Sequence, residues 1–381
     1  VTPGLVVDIE KLKENVQEMI SKSKDRGVGL RPHIKTHKTI EGAFYQIYGD
    51  DIIDKRMERM NSEECKITVS TLGEARFYAD FGFQDILYAV PLSCNKLEQA
   101  YQLTRQIKHF HIIFDHPFHL QAAEEFWKNK QDNVDWNWSV FLQLDCGGHR
   151  CGLDYKDSKT IDFAMNIIES SSSILKGIYT HAGHSYKQEN NEGLQSVVRS
   201  EGECVEYFAE KLYDRIDLEK QEEFSQNLIL SIGSTPSLSY KGESSCSSNR
   251  FKVNEYHPGN YIFYDQMQCE IGSCEIRNCC AFVVASVLSH YPERNQLLMD
   301  CGALSLAKDM GVGIKINQVR EDNEFSWGYI VEAPSLRIIS ITQELGVVQL
   351  QDSDKLDNYP IGKRMKIITH HSCLTAACFP K

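Results

Sequence analysis

The sequence lacks an apolar run long enough to cross a bilayer: the longest near-continuous one, 279–288, is interrupted by Ser286 and falls far short of the roughly 20 residues a spanning helix needs. A membrane helix is therefore excluded. It also lacks any CxxC pair, although it carries 13 cysteines, so neither a zinc ribbon nor a thioredoxin-like redox site is indicated. Nor is there an excess of positive charge. Lys and Arg number 41 against 53 Asp and Glu, a net charge of −12, so no global field recruits nucleic acid or anionic membrane, and any anionic ligand needs a local pocket. No internal repeat is present. The stretch beginning Val1-Thr2-Pro3 has no charged-then-apolar signal segment, and the cysteine count is odd, so the expected setting is a reducing, cytoplasmic one.

What the sequence does contain is ordinary globular material, 41% hydrophobic and 25% charged over 381 residues, enough for two to three domains. Leu5, Val6 and Val7 form a short apolar strand, Asp8 is placed to cap a helix, and Leu12, Val16, Met19 and Ile20 recur at helical spacing until Gly27. Short strand-like runs then follow at 29–35, 66–71, 85–90, 111–115, 139–145, 175–182, 228–233 and 251–255. Amphipathic stretches such as 72–81, 96–107, 116–129 and 192–213 separate most of them. Eight such units predict a closed (β/α)₈ barrel over 9–260, with a doubly wound open sheet as the rival. After about Tyr261, runs at 281–288, 296–299, 329–332, 336–341, 347–350 and 365–368 predict an all-β domain made of 261–381 together with 1–8. The polar segments 187–192 and 241–250 read as surface loops.

In such a barrel, chemistry sits where strands end, so reactive groups at the strand ends are the candidates. RPHIKTHK at 31–38 puts Lys35 among histidines and a second lysine, surroundings that lower an amine's pKa; a basic surface cluster is the competing reading, preferred for Lys38. DCGGHR at 145–150 allows a tight turn that aims His149 or Arg150 inward, or one that merely pairs Asp with Arg. YTHAGHSY at 179–186 places Tyr179 and His181 on one face, with Tyr186 nearby, for acid–base work or stacking; a satisfied structural histidine is the alternative. GSTPS at 233–237 supplies Gly233, Ser234 and Thr235, and HPGN at 257–260 supplies Gly259 and Asn260, where this barrel usually binds phosphate. Each alone is also an ordinary turn. Past the strand expected at 365–368, His371 and Cys373 share a face if the chain stays extended, and together offer two zinc ligands; His370 is a rival on the opposite face.

Taken in order, RPHIKTHK, STLGEA (70–75), DCGGHR, YTHAGHSY, GSTPS, HPGNYIFYD (257–265) and the final HxC resemble the eukaryotic-type D-serine dehydratases, members of the alanine racemase-like, fold type III pyridoxal-phosphate (PLP) enzymes. The resemblance covers essentially the whole chain. It implies Lys35 as the Schiff-base lysine and Cα base, and His181 beside the cofactor ring. Phosphate loops fall at Gly233, Ser234, Thr235, Gly259 and Asn260, and Tyr179, Tyr186 and Arg150 occupy active-site positions. His371 and Cys373 become a Zn²⁺ pair that assists loss of the substrate hydroxyl. Related D-threonine aldolases carry His-x-Asp at that place, so Cys373 favours zinc and dehydration. The implied reaction converts D-serine to pyruvate and ammonia; a D-threonine aldolase or racemase-type activity on another D-amino acid, and a weakly catalytic PLP carrier, are the other readings. The resemblance also implies a homodimer. Three departures stand out: Leu345 where such proteins commonly have His, Thr369-His370 in place of Pro-Asn, and a chain that stops at Lys381 where relatives continue.

Overall fold

The structure, a computed structural model, describes residues 1–49, 60, 65–130, 136–188, 191–239, 250–309 and 326–379. The loop expected at 241–250 lies outside the described residues except for Arg250. The chain divides into two compact units, 18–259 and 1–17 with 260–381, and the division falls inside the helix Ile9–Asp25. Asp8 does cap that helix, its Oδ1 accepting from the Lys11 N–H at 3.3 Å, and Gly27 leaves it at φ +64.

In the strand numbering used below, β1 (Gly4–Val7) belongs to the second unit. The unit 18–259 is built on β2 (Gly29–Leu30), β3 (Lys66–Val69), β4 (Asp85–Pro91), β5 (His109–Phe114), β6 (Trp138–Asp145), β7 (Leu153–Asp154), β8 (Ser173–Thr180), β9 (Ile229–Ile232) and β10 (Glu255–Tyr256). Eight of these run parallel in the order β2-β10-β9-β8-β6-β5-β4-β3, and β7 adds to the edge of β6. A parallel bridge from His33 to Thr68 joins the two ends of that order, so the sheet is a closed (β/α)₈-type barrel and not an open one. Leu87, Ile113, Phe141 and Tyr179, from β4, β5, β6 and β8, fill part of its interior. At one strand pole Arg31 is wholly buried between Asp85 and Glu255, its Nε 3.0 Å from Glu255 Oε1, with His111 Nε2 3.2 Å from Asp85. The barrel interior is therefore bonded ionically at the very strands that close it.

Between strands lie the expected helices, found at Leu72–Phe81, Leu97–Gln106, Pro117–Asn129 and Asn191–Tyr213, together with Ile40–Tyr48, Ser158–Glu169 and Leu218–Asn227. STLGEA turns out to be a helix start. Thr71 Oγ1 accepts from the Glu74 N–H at 3.0 Å, while the Glu74 carboxylate accepts from the Ser70 and Thr71 N–H groups, a reciprocal capping box.

The second unit carries β11 (Ala281–Tyr291), β12 (Gln296–Met299), β13 (Gly328–Ile330), β14 (Arg337–Ile341), β15 (Gly346–Gln349) and β16 (Arg364–Thr369) in antiparallel order β13-β16-β11-β12-β15-β14, with β1 on β11. Alternation along β11 sends Val283, Ala285 and Val287 into a core shared with Leu297, Ile338, Val348 and Ile367. No helix of the described residues is long and apolar enough to cross a membrane.

Candidate active site

Lys35 does not end a strand. Residues 31–33 continue β2 in extended form, and the chain then tightens into a 3₁₀ turn, Ile34–Thr36, with His33 as its cap: His33 Nδ1 accepts from the Lys35 N–H at 3.4 Å, and His33 Nε2 lies 3.2 Å from Ser70 Oγ. The turn projects Lys35, half-buried, from the strand's C-terminal side. The second histidine of the motif is structural. His37 Nε2 lies 2.8 Å from Gln46 Oε1, its Nδ1 accepts from the Thr39 N–H at 3.0 Å, and the Gln46 amide donates onward to the Gly259 carbonyl at 3.2 Å. Lys38 pairs with Glu74 at 3.4 Å, as a basic surface position would.

Around Lys35 the barrel unit gathers imidazoles from three strand ends. His33 follows β2, His181 follows β8 and His257 follows β10; the Lys35 charge acts on all three. Burial first, and then that charge, hold His33 well below the ordinary histidine range and push His181 down to about 3, while burial, then His181 and then Lys35 hold His257 well below that range. At neutral pH the three rings are therefore uncharged. His181 Nδ1 donates to the Gly233 carbonyl at 3.0 Å, which leaves Nε2 as its unprotonated nitrogen. Tyr179 is buried and stacks on His257, ring centroids 4.1 Å apart and 15° from parallel; burial raises its phenol. Arg150 is exposed, yet its charge reaches both Tyr179 and His181. Asp145 pairs with His149 at 3.0 Å, so the turn after β6 holds a histidine on its surface and does not aim it inward. Tyr186 is half-buried in the turn Gly183–Lys187.

The loop after β9 is assembled by a residue the motifs do not announce. Glu201, fully buried on the helix Asn191–Tyr213, accepts through Oε1 from the Gly233 N–H (3.0 Å) and the Ala182 N–H (3.1 Å), and through Oε2 from Ser237 Oγ (3.0 Å). Burial outweighs these bonds and pushes its carboxyl up to about 7. Ser234 Oγ bonds Ser185 Oγ at 2.8 Å and Ser237 Oγ at 3.0 Å, and Thr235 opens the short helix Thr235–Ser239. Gly233 has φ +140, and a Cβ there would stand 2.7 Å from Leu238 Cδ1; a Cβ on Gly259 would stand 2.7 Å from the His33 carbonyl. Both glycines permit close backbone approach.

Asn260 belongs to the other unit, where its side-chain Nδ2 donates to Asp265 Oδ2 (2.8 Å) and Ser372 Oγ (2.9 Å), with Cys373 Sγ 3.4 Å away. His371 and Cys373 do not lie on a strand. β16 stops at Thr369, and His371 is the N-cap of the helix Ser372–Ala377, so the first helical turn and not strand alternation brings the two side chains together. His371 Nδ1 lies 2.7 Å from Asp309 Oδ2, which fixes the ring and leaves Nε2 on the opposite edge. Burial opposes the charged ring, but the Cys373 sulfur, Asp265 and Asp309 push it up to about 9. His370 is buried, its Nε2 3.9 Å from Glu270. Leu345 lies half-buried in the turn joining β14 and β15, its carbonyl accepting from the Thr342 N–H at 2.8 Å.

Comparison with known proteins matches residues 7–219 to the family "Alanine racemase, N-terminal domain" and residues 280–381 to "Putative serine dehydratase domain". The chain is 36% identical to the D-serine dehydratase of Dictyostelium discoideum over 99% of its own length and 91% of that protein's. Among solved structures, an alanine racemase-like protein from Idiomarina loihiensis superposes with TM-score 0.84 at 30% identity, covering 100% of this chain and 92% of that one. The D-threo-3-hydroxyaspartate dehydratase of Delftia sp. HT23 gives TM-score 0.81 at 26% identity, with 100% and 93% covered. Its solved forms include a histidine-to-alanine variant and, two positions further on, a cysteine-to-alanine variant described as metal-free. With a closed barrel, an antiparallel β unit and these matches along its whole length, the chain belongs to the alanine racemase-like, fold type III PLP enzymes, among the relatives of D-serine dehydratases and D-threonine aldolases.

Proposed function

We propose that the chain is a D-serine dehydratase that uses PLP and zinc, a particular case of the PLP-dependent lyases and aldolases acting on D-amino acids to which it is related. The observation that carries the reading is Lys35 on the 3₁₀ turn capped by His33 after β2, with His181 and His257 at the ends of two further strands of the same barrel and their ring centroids 6.2 Å apart. A pyridine aldehyde bearing a phosphate needs an amine, flat uncharged surfaces and an anion cup. Lys35, the His181 ring and the Gly233-Ser234-Thr235 loop with Gly259 supply that donor set, and the two glycines let the loops pack against Leu238 and the His33 carbonyl. Bound there, PLP supplies an electron sink for the charge left at Cα.

The residues divide the rest of the work. Lys35 holds and moves the Cα proton, and the uncharged rings beside it keep a second positive charge away from its amine. Glu201 fixes the Gly233 and Ala182 N–H groups, and so the loop's orientation. Arg150 adds positive potential toward Tyr179 and His181, suited to a substrate carboxylate. His371 and Cys373, steadied by Asp309 and Asn260, suit a thiophilic ion, and the histidine–cysteine spacing of the Delftia variants supports that assignment. Bound zinc supplies Lewis acidity to ease departure of hydroxide. Loss of the Cα proton and the hydroxyl yields, after hydrolysis, pyruvate and ammonia.

The test is pyruvate release by PLP- and zinc-loaded protein from D-serine and L-serine in parallel, with 2-oxobutanoate and acetaldehyde followed from D-threonine. D-serine alone should react, and Lys35→Ala should lower the rate by at least about a thousandfold while the fold is retained. Equal release from L-serine, or a Lys35→Ala protein of near-normal rate, would overturn the assignment.

A further inference from the structure

Three thiols with no part in either assembly above meet in the β unit. Cys269 lies in the helix Gln266–Glu270, Cys274 in the turn that follows, and Cys279 directly after the 3₁₀ turn Ile276–Asn278. The Cys269 sulfur is 3.5 Å from both the Cys274 and the Cys279 sulfur, and all three lie within 4.8 Å of one another. Two sulfurs on one tetrahedral zinc ion, each about 2.3 Å from it, stand about 3.8 Å apart. A disulfide would bring two of them to about 2.05 Å and leave the third unused. The spacing is C-x₄-C-x₄-C, wider than the CxxC pair that the sequence lacks.

The segment that carries them is set by its own backbone. Gly272, at φ +78, turns the chain so that its N–H reaches the Cys269 carbonyl, and the Ser273 N–H reaches that of Gln268 at 2.9 Å. Glu275 and Asn278 cap each other across the next turn, and the Asn15 amide donates to the Asn278 carbonyl at 2.9 Å. The sulfurs therefore need no chain rearrangement to converge.

The geometry points to a three-thiolate site for zinc at Cys269, Cys274 and Cys279, separate from His371 and Cys373, with its fourth position open to water. Binding releases three thiol protons to solvent and changes no oxidation state; Zn²⁺ with three thiolates carries a net charge of −1. The half-buried Cys269 and Cys274 give the ion a way in, while Cys279 is buried. The same segment holds Asp265, which accepts from the Ser372 N–H (2.9 Å) and Oγ (3.1 Å), and Met267, whose N–H donates to the His370 carbonyl at 3.1 Å. An ion on the three sulfurs thus orders the support of the His371-Ser372-Cys373 turn without touching it.

Metal content of PLP-loaded protein, saturated with zinc under reductant and desalted, tests the site. Cys373→Ala should retain one equivalent of zinc, and Cys269→Ser combined with Cys373→Ala should retain none. A Cys373→Ala protein without zinc, or a double variant that still holds an equivalent, would overturn the proposal. Should the double variant fail to fold, Cd²⁺ titration of Cys373→Ala gives the answer. A thiolate-to-cadmium absorption saturating at one equivalent, with the intensity of three sulfurs, supports the site. Its absence, or an intact mass two hydrogens short showing a disulfide under the same reductant, refutes it.

Discussion

Replacing Glu201 by Gln should make the protein more stable at alkaline pH and remove part of its pH dependence. The carboxyl is wholly buried, and its folded-state value of about 7 lies above the ordinary 4.5. A carboxyl raised in this way favours the fold when protonated, so its contribution is fully present below pH 4.5 and is lost as the pH rises through 7. At about 1.4 kcal/mol for each pH unit between those values, ionisation costs the fold roughly 3 kcal/mol by pH 8. A glutamine carbonyl can still accept from the Gly233 and Ala182 N–H groups, and the Ser237 hydroxyl can turn to accept from the amide, so Glu201→Gln keeps the loop while escaping the charge. Glu201→Ala, by contrast, strands two buried N–H groups and a hydroxyl, and should destabilise at every pH by about 1–3 kcal/mol per lost partner. Urea unfolding of the three proteins at pH 5 and pH 8 reads the difference. Equal midpoint shifts for wild type and Glu201→Gln between the two pH values would refute the reasoning.

Arg31→Met leaves Asp85 and Glu255 as buried charges without their cation and should cost about 3–5 kcal/mol in denaturant unfolding; a loss under about 1 kcal/mol would mean the strand-closing ion pairs carry little. Gly42→Ala places a Cβ 2.2 Å from His37 Nδ1, which must swing the ring off Gln46 and so release the Gly259 carbonyl; about 1–3 kcal/mol of overpacking and weaker PLP retention on dialysis are expected, and unchanged retention would argue against the chain of contacts. Asp309→Asn should weaken the proposed zinc binding at His371 by about 10–100-fold in competition with a chelator, because the ring loses its anionic partner; an unaltered affinity would assign Asp309 to the fold alone.

Most of the barrel was legible because β3 to β6, β8 and β9 are short apolar runs bounded by glycine or a polar turn; β2 and β10 are two-residue strands, Gly29-Leu30 and Glu255-Tyr256, that overlap the expected runs 29–35 and 251–255 only in part. What escaped the sequence was whatever depends on distance along the chain. Glu201 sits on a helix of ordinary polar pattern, 32 residues from the Gly233 N–H it accepts from, and Asp309 is 62 residues from His371. His33 and His257 sit inside motifs that draw the eye to Lys35 and Gly259, and only barrel closure sets their rings in reach of one amine. The pairing of His371 with Cys373 was read from strand alternation, and the structure reaches it through a helix cap, because Asp265 takes the Ser372 N–H and turns the chain.

The ladder that joins Gly29 and Leu30 to Glu255 and Tyr256 spans 226 residues of sequence, and the barrel's other seam rests on the His33–Thr68 bridge. Contacts between segments that far apart form late, since a long loop must be closed before any bond is gained. During synthesis the seven parallel strands that precede β10 in the barrel (β2 to β6, β8 and β9) emerge with their local βα partners, while the lysine turn waits at an open edge. Only after Tyr256 has left the ribosome can Arg31 find Glu255 and the imidazole of His257 come beside Lys35. On the proposed assignment of Lys35, cofactor capture is then a report of completed translation of this unit: a chain cut before β10 has the amine, two of the three rings and the Gly233 loop, but no closed ring of strands to hold them together.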